Sequence, residues 1–266
     1  MIHLESVLLR PLPKSKAFPF SLPLLKHLKE LHFDTPVTLF VGENGSGKST
    51  LLEGLACAAD MVVVGSESTR SDKSLAQARE LAKYFRLSWK KRTHRGFFLR
   101  AEDFFGYAKR LNQMRSEMES DLDEIDEEYK DRSDYARGLA RMSTVGGLGE
   151  LRRRYGEGLD AHSHGESFLE LFQARFVPQG LYLLDEPEAP LSPLRQLALI
   201  KAVQGMVEQE GQFIIATHSP ILMAYPGASI LNFDGGEIRP AQYEQLEHVR
   251  LMRDFLQNPE AFLRNL

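Results

Sequence analysis

With 266 residues, 42% hydrophobic and 26% charged, the chain is long enough to bury a real core and too apolar for a disordered segment. Its formal net charge of -4 excludes a uniformly basic surface made for nucleic acid, although a local basic patch stays open. The single cysteine, Cys57, cannot close an intramolecular disulfide, no apolar run reaches membrane-spanning length, and "MIHLESVLLRPLPKSK" lacks the layout of a secretion signal. The expectation is a cytoplasmic protein of one large domain, with or without an inserted lobe.

In chain order, residues 2–9 read as a short strand followed by a proline-rich loop, and residues 24–31 as a short helix. "PVTLFVGENGSGKSTLLEGLACAAD" reads as a β-branched strand, a glycine-rich turn and a helix with Leu51, Leu52, Leu55 and Ala59 on one side. Residues 76–89 are mixed, and residues 97–99 form an aromatic strand candidate. A long amphipathic helix then carries Phe104, Ala108, Leu111, Met114 (or Arg115), Met118, Leu122, Ile125 and Tyr129 at three-or-four spacing. Packing on its own domain is favoured over a short coiled coil. "STVGGLGELRRRYGEGLDAH" is punctuated by glycine and reads as loop, with helix resuming at 167–176. "GLYLLDEPEAPLSP" is a buried strand ending in acids, followed by a helix over 194–209. "GQFIIATHSPIL" is a second such strand, and "SILNFDGGEIRP" a hairpin turning at Gly235 and Gly236. The segment from Gln242 to about Asn258 reads as helix, interrupted at Pro259.

Strands alternating with helices predict an α/β protein with a mostly parallel sheet flanked by helices, and a ligand beyond the carboxyl ends of the strands. Residues 1–101 and 176–241 form the two halves of the core. Residues 102–175 form an inserted helical lobe and 242–266 a C-terminal helical segment.

"GENGSGKST" satisfies G-x-x-x-x-G-K-[ST] from Gly42 to Ser49. Gly42, Asn44, Gly45, Ser46 and Gly47 offer backbone N–H groups that can curl around an anion, and the following helix points its positive end at the same place. Lys48 suits the β- and γ-phosphates of a nucleotide, Ser49 a Mg²⁺ ion and Thr50 the α-phosphate. Asp185 and Glu186 close the strand of "LYLLDEP". Two adjacent carboxylates there call for a cation: Asp185 is assigned to Mg²⁺ through water, and Glu186 to the attacking water as general base. His218 in "IIATHSP" closes another buried strand, where an imidazole can meet the γ-phosphate and orient water.

One further stretch, "DAHSHGES" at residues 160–167, reads locally as a helix start, with Ser163 and Glu166 as a capping box. The order of phosphate loop, "SHGES", "LLDEP" and "THSP" resembles that of the ABC-type ATPases, a P-loop NTPase family. The resemblance covers both core halves and, weakly, the lobe between them. It implies that Ser163 and Gly165 grip the γ-phosphate of ATP held by another copy of the chain, so that two protomers sandwich two Mg²⁺-ATP. His164 stands where the family's pattern has glycine, and Glu166 where it has glutamine. "DEPEAPLSP" is more similar to the soluble AAA/ABC and recombination-repair ATPases than to transporter subunits, because Ser192 stands where an aspartate closes that loop in transporters. The family's glutamine-bearing loop falls at "GFFLRAEDF", which has no glutamine; Arg100 or Glu102 takes its place. No adenine-stacking side chain is assigned.

The basic runs "WKKRTHR" and Arg152–Arg154 read as solvated surface ahead of a phosphate-backbone contact. The expected activity is ATP hydrolysis by an ATP-dependent homodimer that drives a conformational switch on an unknown protein or DNA partner. A transporter's nucleotide-binding subunit, a DNA-associated repair or defence module, and a regulatory module with negligible turnover stay open as alternatives.

Overall fold

A computed structural model describes residues 1–64, 69–70, 72–155, 169, 172 and 174–264. Among the described residues, nine strands form two sheets. β1 (Leu4–Leu9), β2 (Glu30–His32) and β4 (Phe85–Trp89) make an antiparallel three-stranded sheet in the order β2-β1-β4. The six-stranded sheet runs β5-β6-β7-β3-β8-β9, from β5 (Gly96–Arg100), β6 (Leu181–Asp185), β7 (Gln212–Ala216), β3 (Val37–Val41), β8 (Ser229–Asn232) and β9 (Arg239–Ala241). The first five of these are parallel, and β9 returns antiparallel on β8. This is the predicted α/β architecture.

Strands β3, β6 and β7 are buried along their whole length, as a parallel sheet covered on both faces demands. The two-residue period divides their side chains between two apolar clusters. Phe40, Leu183, Ile214 and Ala216 pack on α2 (Lys48–Ala58), through Leu51, Leu52 and Leu55. Leu39, Val41, Leu184, Phe213 and Ile215 pack on the other side with Leu199 and Val203 of α6 (Pro193–Glu208). Each of the Val, Leu, Ile and Phe side chains among these contributes about 1.5–3 kcal/mol by leaving water. Tyr182, Phe97, Phe172 and Phe213 add an aromatic cluster at the strand starts, and the Tyr182 hydroxyl donates to the Val177 carbonyl at 2.6 Å.

The three-stranded sheet was not anticipated. Residues 30 and 31, expected as the end of the helix over 24–31, lie in strand β2; the helix α1 (Pro23–His27) is shorter than the apolar spacing implied. Alternation in "ELH" puts Leu31 inward between two exposed polar side chains, and pairing with β1 overrides helical spacing. Residues 76–89 resolve into α3 (Ala76–Ala82) and β4. Gln212 latches the two sheets together. Its Oε1 accepts from the backbone N–H groups of His3 and Leu4 at 2.7 and 2.8 Å, and its Nε2 donates to the Leu4 carbonyl at 2.9 Å.

Long helices α4 (Ala101–Glu128) and α5 (Asp134–Tyr155) follow β5. They form an antiparallel hairpin: Arg141 pairs with Asp126 at 2.8 Å, and Gly147 lies against Met118. α5 corrects the loop expected at 143–162 as far as Tyr155; the rest of that stretch lies outside the described residues. Gly146, Gly147 and Gly149 were weighed as breaks, yet none of them takes a positive φ. Each costs about 1 kcal/mol in a helix, and the hairpin packing outweighs that. The expected helix 167–176 lies largely outside the described residues; Leu169, Phe172, Ala174 and Arg175 are helical. After β7 come the short helix α7 (Pro220–Met223), and later α8 (Glu247–Gln257) and α9 (Pro259–Leu263), which begins where Pro259 was expected to interrupt. Among the described residues, no helix is long and apolar enough to cross a membrane.

Candidate functional site

Pairing order decides which chain segments meet. β3 lies beside β7, and β7 beside β6, so the carboxyl ends of three neighbouring strands deliver Gly42–Ser49, His218 and Asp185–Glu186 to one edge of the sheet.

The glycine-rich turn has a reason for glycine at two positions. Gly47, at φ +99°, is the residue before α2, and a Cβ there would stand 2.0 Å from Leu24 Cδ2. Gly42, at φ +136°, would bring a Cβ to 2.8 Å from Asp234 Oδ1. Asp234 also accepts from the Glu43 N–H at 2.7 Å, so the turn after β8 braces the loop from outside. Lys48 is buried. Its Nζ donates to the Gly42 and Glu43 carbonyls at 2.7 and 2.9 Å, with Ser46 Oγ at 3.5 Å, and so is folded back across the loop. Burial lowers its pKa, while Glu186, Asp185, Asp234 and Glu43 pull it up. Asn44 and Gly45 are exposed, and Thr50 is half-buried in the first turn of α2.

Ser49 Oγ donates to Asp185 Oδ1 at 3.0 Å. Burial pushes the Asp185 carboxyl up to about 7; the Ser49 hydroxyl and Lys48 oppose this, and Glu186 and Glu53 add to it. A buried carboxylate with a hydroxyl alongside suits a small, hard cation, since Mg²⁺ takes one or two protein oxygens and completes its shell with water and phosphate. Among the described residues no group of three or more His, Cys, Asp or Glu side chains is arranged to hold a metal.

Glu186 adopts φ +49°, a left-handed conformation costly for a side chain with Cβ, and its N–H is tied to the Ala216 carbonyl at 2.9 Å. Its carboxylate lies beside His218, with Oε1 3.8 Å from His218 Nε2. That nitrogen is buried and has no hydrogen-bond partner among the described residues. Burial and then Lys48 lower the His218 pKa, so the ring is neutral near pH 7 and Nε2 can serve an incoming group.

Two features lay beyond sequence reasoning. Arg100 is almost completely buried at the end of β5, opposite Asp185 in the ladder. It pairs with Asp103 at 2.7 Å, Asp72 at 3.2 Å and Glu53 at 3.4 Å, joining α2, the 72–75 turn and the start of α4. Glu188 reaches across from the strand-end acids to the Thr217–Ser219 segment. Its position two residues after Glu186 was visible, but nothing in its spacing pointed to that target. Ser163, His164, Gly165 and Glu166, the expected trans contacts, lie outside the described residues, as does the capping box. The side chain of Glu102 is likewise outside them. Lys90, Lys91, Arg92, His94 and Arg95 are exposed, as solvated surface would be.

Residues 20–134 match a family model described as an AAA domain. No curated protein matches the chain. Solved structures similar to it include a putative metal-chelate type ABC transporter in an inward-facing conformation, 15% identical, covering 97% of this chain and 90% of that one at TM-score 0.49. Another is cbiO1 from Clostridium perfringens, part of the ABC transporter complex cbiONQ, 16% identical over all of both chains at 0.48. A third is the Smc head domain from Pyrococcus furiosus, solved with an extended coiled coil and bound to the C-terminal domain of ScpA. It is 13% identical over 97% of this chain and 99% of that one, at 0.47.

Proposed function

We propose that this P-loop protein of the AAA/ABC type, whose residues 20–134 match the AAA domain model, binds Mg²⁺-ATP at the sheet edge and hydrolyses it. The observation that carries the reading is the meeting of the phosphate-loop helix with the acidic strand end, Ser49 on Asp185, beside Glu186 and His218 Nε2, which has no hydrogen-bond partner among the described residues. Lys48 leaves its carbonyl partners to contact the β- and γ-phosphates, and the N–H groups of Gly45 to Ser49 wrap the anion. Ser49 and Asp185 would hold the Mg²⁺ ion, which would supply neutralisation of the developing phosphate charge. Glu186 takes the proton of the attacking water, and His218 Nε2 orients that water or the γ-phosphate. Catalysis is mainly positioning and electrostatic stabilisation.

On this reading two copies close around two nucleotides, with Ser163 and Gly165 of each chain capping the site of the other. ATP-driven closing is then the output passed to a protein or DNA partner. A transporter subunit or a DNA-associated module would share the same site, and the partner separates them. The test uses Glu186→Gln with ATP. Light scattering is expected to give twice the 30.2 kDa monomer mass, and adding Ser163→Arg to return it to the monomer. Phosphate release by the wild type is expected to fall on Glu186→Gln. A monomer in every condition removes the sandwich, and unchanged phosphate release removes the mechanism. Pull-down with the ATP-locked Glu186→Gln form then identifies the partner.

A further inference from the structure

Glu188 Oε1 accepts three hydrogen bonds: from Thr217 Oγ1 at 2.7 Å, from the His218 N–H at 2.6 Å and from the Ser219 N–H at 3.0 Å. All three donors lie on consecutive residues at the mouth of β7, and a charged acceptor makes each bond stronger than a neutral one does. The same turn is held a second way. Ser219 Oγ donates to Gln196 Oε1 of α6 and caps α7 by accepting from the Ile221 and Leu222 N–H groups. The backbone that carries the His218 ring is therefore pinned on both sides. Glu188 Oε2 is buried and, like His218 Nε2, makes no hydrogen bond among the described residues. Nε2 of the ring approaches Glu186 Oε1 at 3.8 Å. Its orientation is set from behind, through the peptide groups of residues 217–219.

We propose that Glu188 is a positioning residue that acts through His218, holding the Thr217–Ser219 backbone so that the imidazole faces Glu186 across the reaction site. The turn over 186–191 links the two groups: the Ala189 N–H donates to the Glu186 carbonyl at 3.1 Å, and the Leu191 N–H to the Glu188 carbonyl at 2.8 Å. One short turn thus carries the strained Glu186 and the clamp that aims its partner, so a displacement of the turn moves both together. The consequence for turnover rests on the ATPase reading above; the aiming of His218 does not.

The test has two arms. In the nucleotide-free protein, NMR of the His218 ring nitrogens in Glu188→Ala is expected to show shifted resonances, and Glu188→Gln, which keeps an acceptor oxygen for the three donors, to restore them. In turnover, Glu188→Ala is expected to lower kcat by on the order of 10- to 100-fold while ATP affinity holds, and Glu188→Gln to recover much of that loss. The double variant with His218→Ala is expected to be no slower than His218→Ala alone, because one residue acts through the other. Unmoved His218 resonances in Glu188→Ala, or losses that add in the double variant, overturn the inference. Should Glu188→Ala not fold, unchanged His218 resonances in Glu188→Asp, whose shorter carboxylate cannot span to all three donors, overturn it equally. Shifted resonances with no hydrolysis by the wild type uphold the clamp and remove the ATPase reading instead.

Discussion

Ser49 Oγ lies 3.0 Å from Asp185 Oδ1 across 136 positions of sequence, so the first turn of α2 is hydrogen-bonded to the last residue of β6. The bond satisfies two groups that a cation would otherwise bridge, and the carboxylate's raised pKa gives the pair a pH signature. With its folded value near 7 against 3.8 for the free group, Asp185 keeps a proton in the folded protein between about pH 4 and 7 that the unfolded chain has lost. Its contribution to stability is full below about pH 4 and is lost as pH rises through 7.

In chelator and without nucleotide, the melting temperature of the wild type relative to Asp185→Asn is therefore expected to fall from pH 5 to pH 8. Added Mg²⁺-nucleotide is expected to displace the proton and stabilise the wild type more at pH 8 than at pH 6. Thermal melts across that range with and without Mg²⁺-ATP measure both, and a gap independent of pH refutes the assignment.

Gly47→Ala places a methyl 2.0 Å from Leu24 Cδ2 in a left-handed conformation. A loss of at least about 2 kcal/mol is expected, from backbone strain of about 1–2 kcal/mol plus the shift Leu24 must make. Gly227→Ala is the control. Its φ is +75° with nothing within 4 Å, so it bears the backbone cost alone. Urea unfolding compares the two. Binding of a fluorescent ATP analogue is expected to fail in Gly47→Ala and to survive in Gly227→Ala.

Arg100→Met withdraws a buried cation from Asp103, Asp72 and Glu53. Breaking a buried ion-pair network by removing one side costs about 3–5 kcal/mol. Urea unfolding is expected to show a loss in that range, little reduced by 0.5 M salt because the group is almost completely buried. A loss below about 1 kcal/mol, the level of exposed pairs, contradicts the account.

Cys57 is half-buried on α2, and burial pushes its thiol up to about 11. Thiolate is the reactive form, so alkylation by iodoacetamide at pH 8 is expected to be at least about tenfold slower in the folded protein than in urea. Mass spectrometry of timed samples gives both rates; equal rates refute it.

Local pattern was enough for the elements whose chemistry is written in consecutive residues. "GENGSGKST" reads as a phosphate loop because left-handed turns, a lysine and a hydroxyl at fixed offsets belong together, and the structure gives that strand–turn–helix order. The buried strands before Asp185 and His218 were legible as unbroken apolar runs. β2 was not, because three residues carry no period and its pairing with β1 decides. α5 was not, because single glycines weigh against a helix locally while the packing on α4 acts at a distance. Glu188 and Arg100 were visible as residues but not as a clamp and a hub, since their partners lie 29 to 31 and up to 47 positions away.

By itself, then, the sequence determined the phosphate-loop turn and the polar residues that end each buried strand, because backbone dihedrals and side-chain periodicity act over a few residues. Which strand ends meet was decided only by the sheet order β6-β7-β3, which sets Asp185, His218 and Lys48 at one edge. That order is a property of long-range pairing: every parallel ladder is closed by a separate crossover, and no local pattern states which strand will lie beside which.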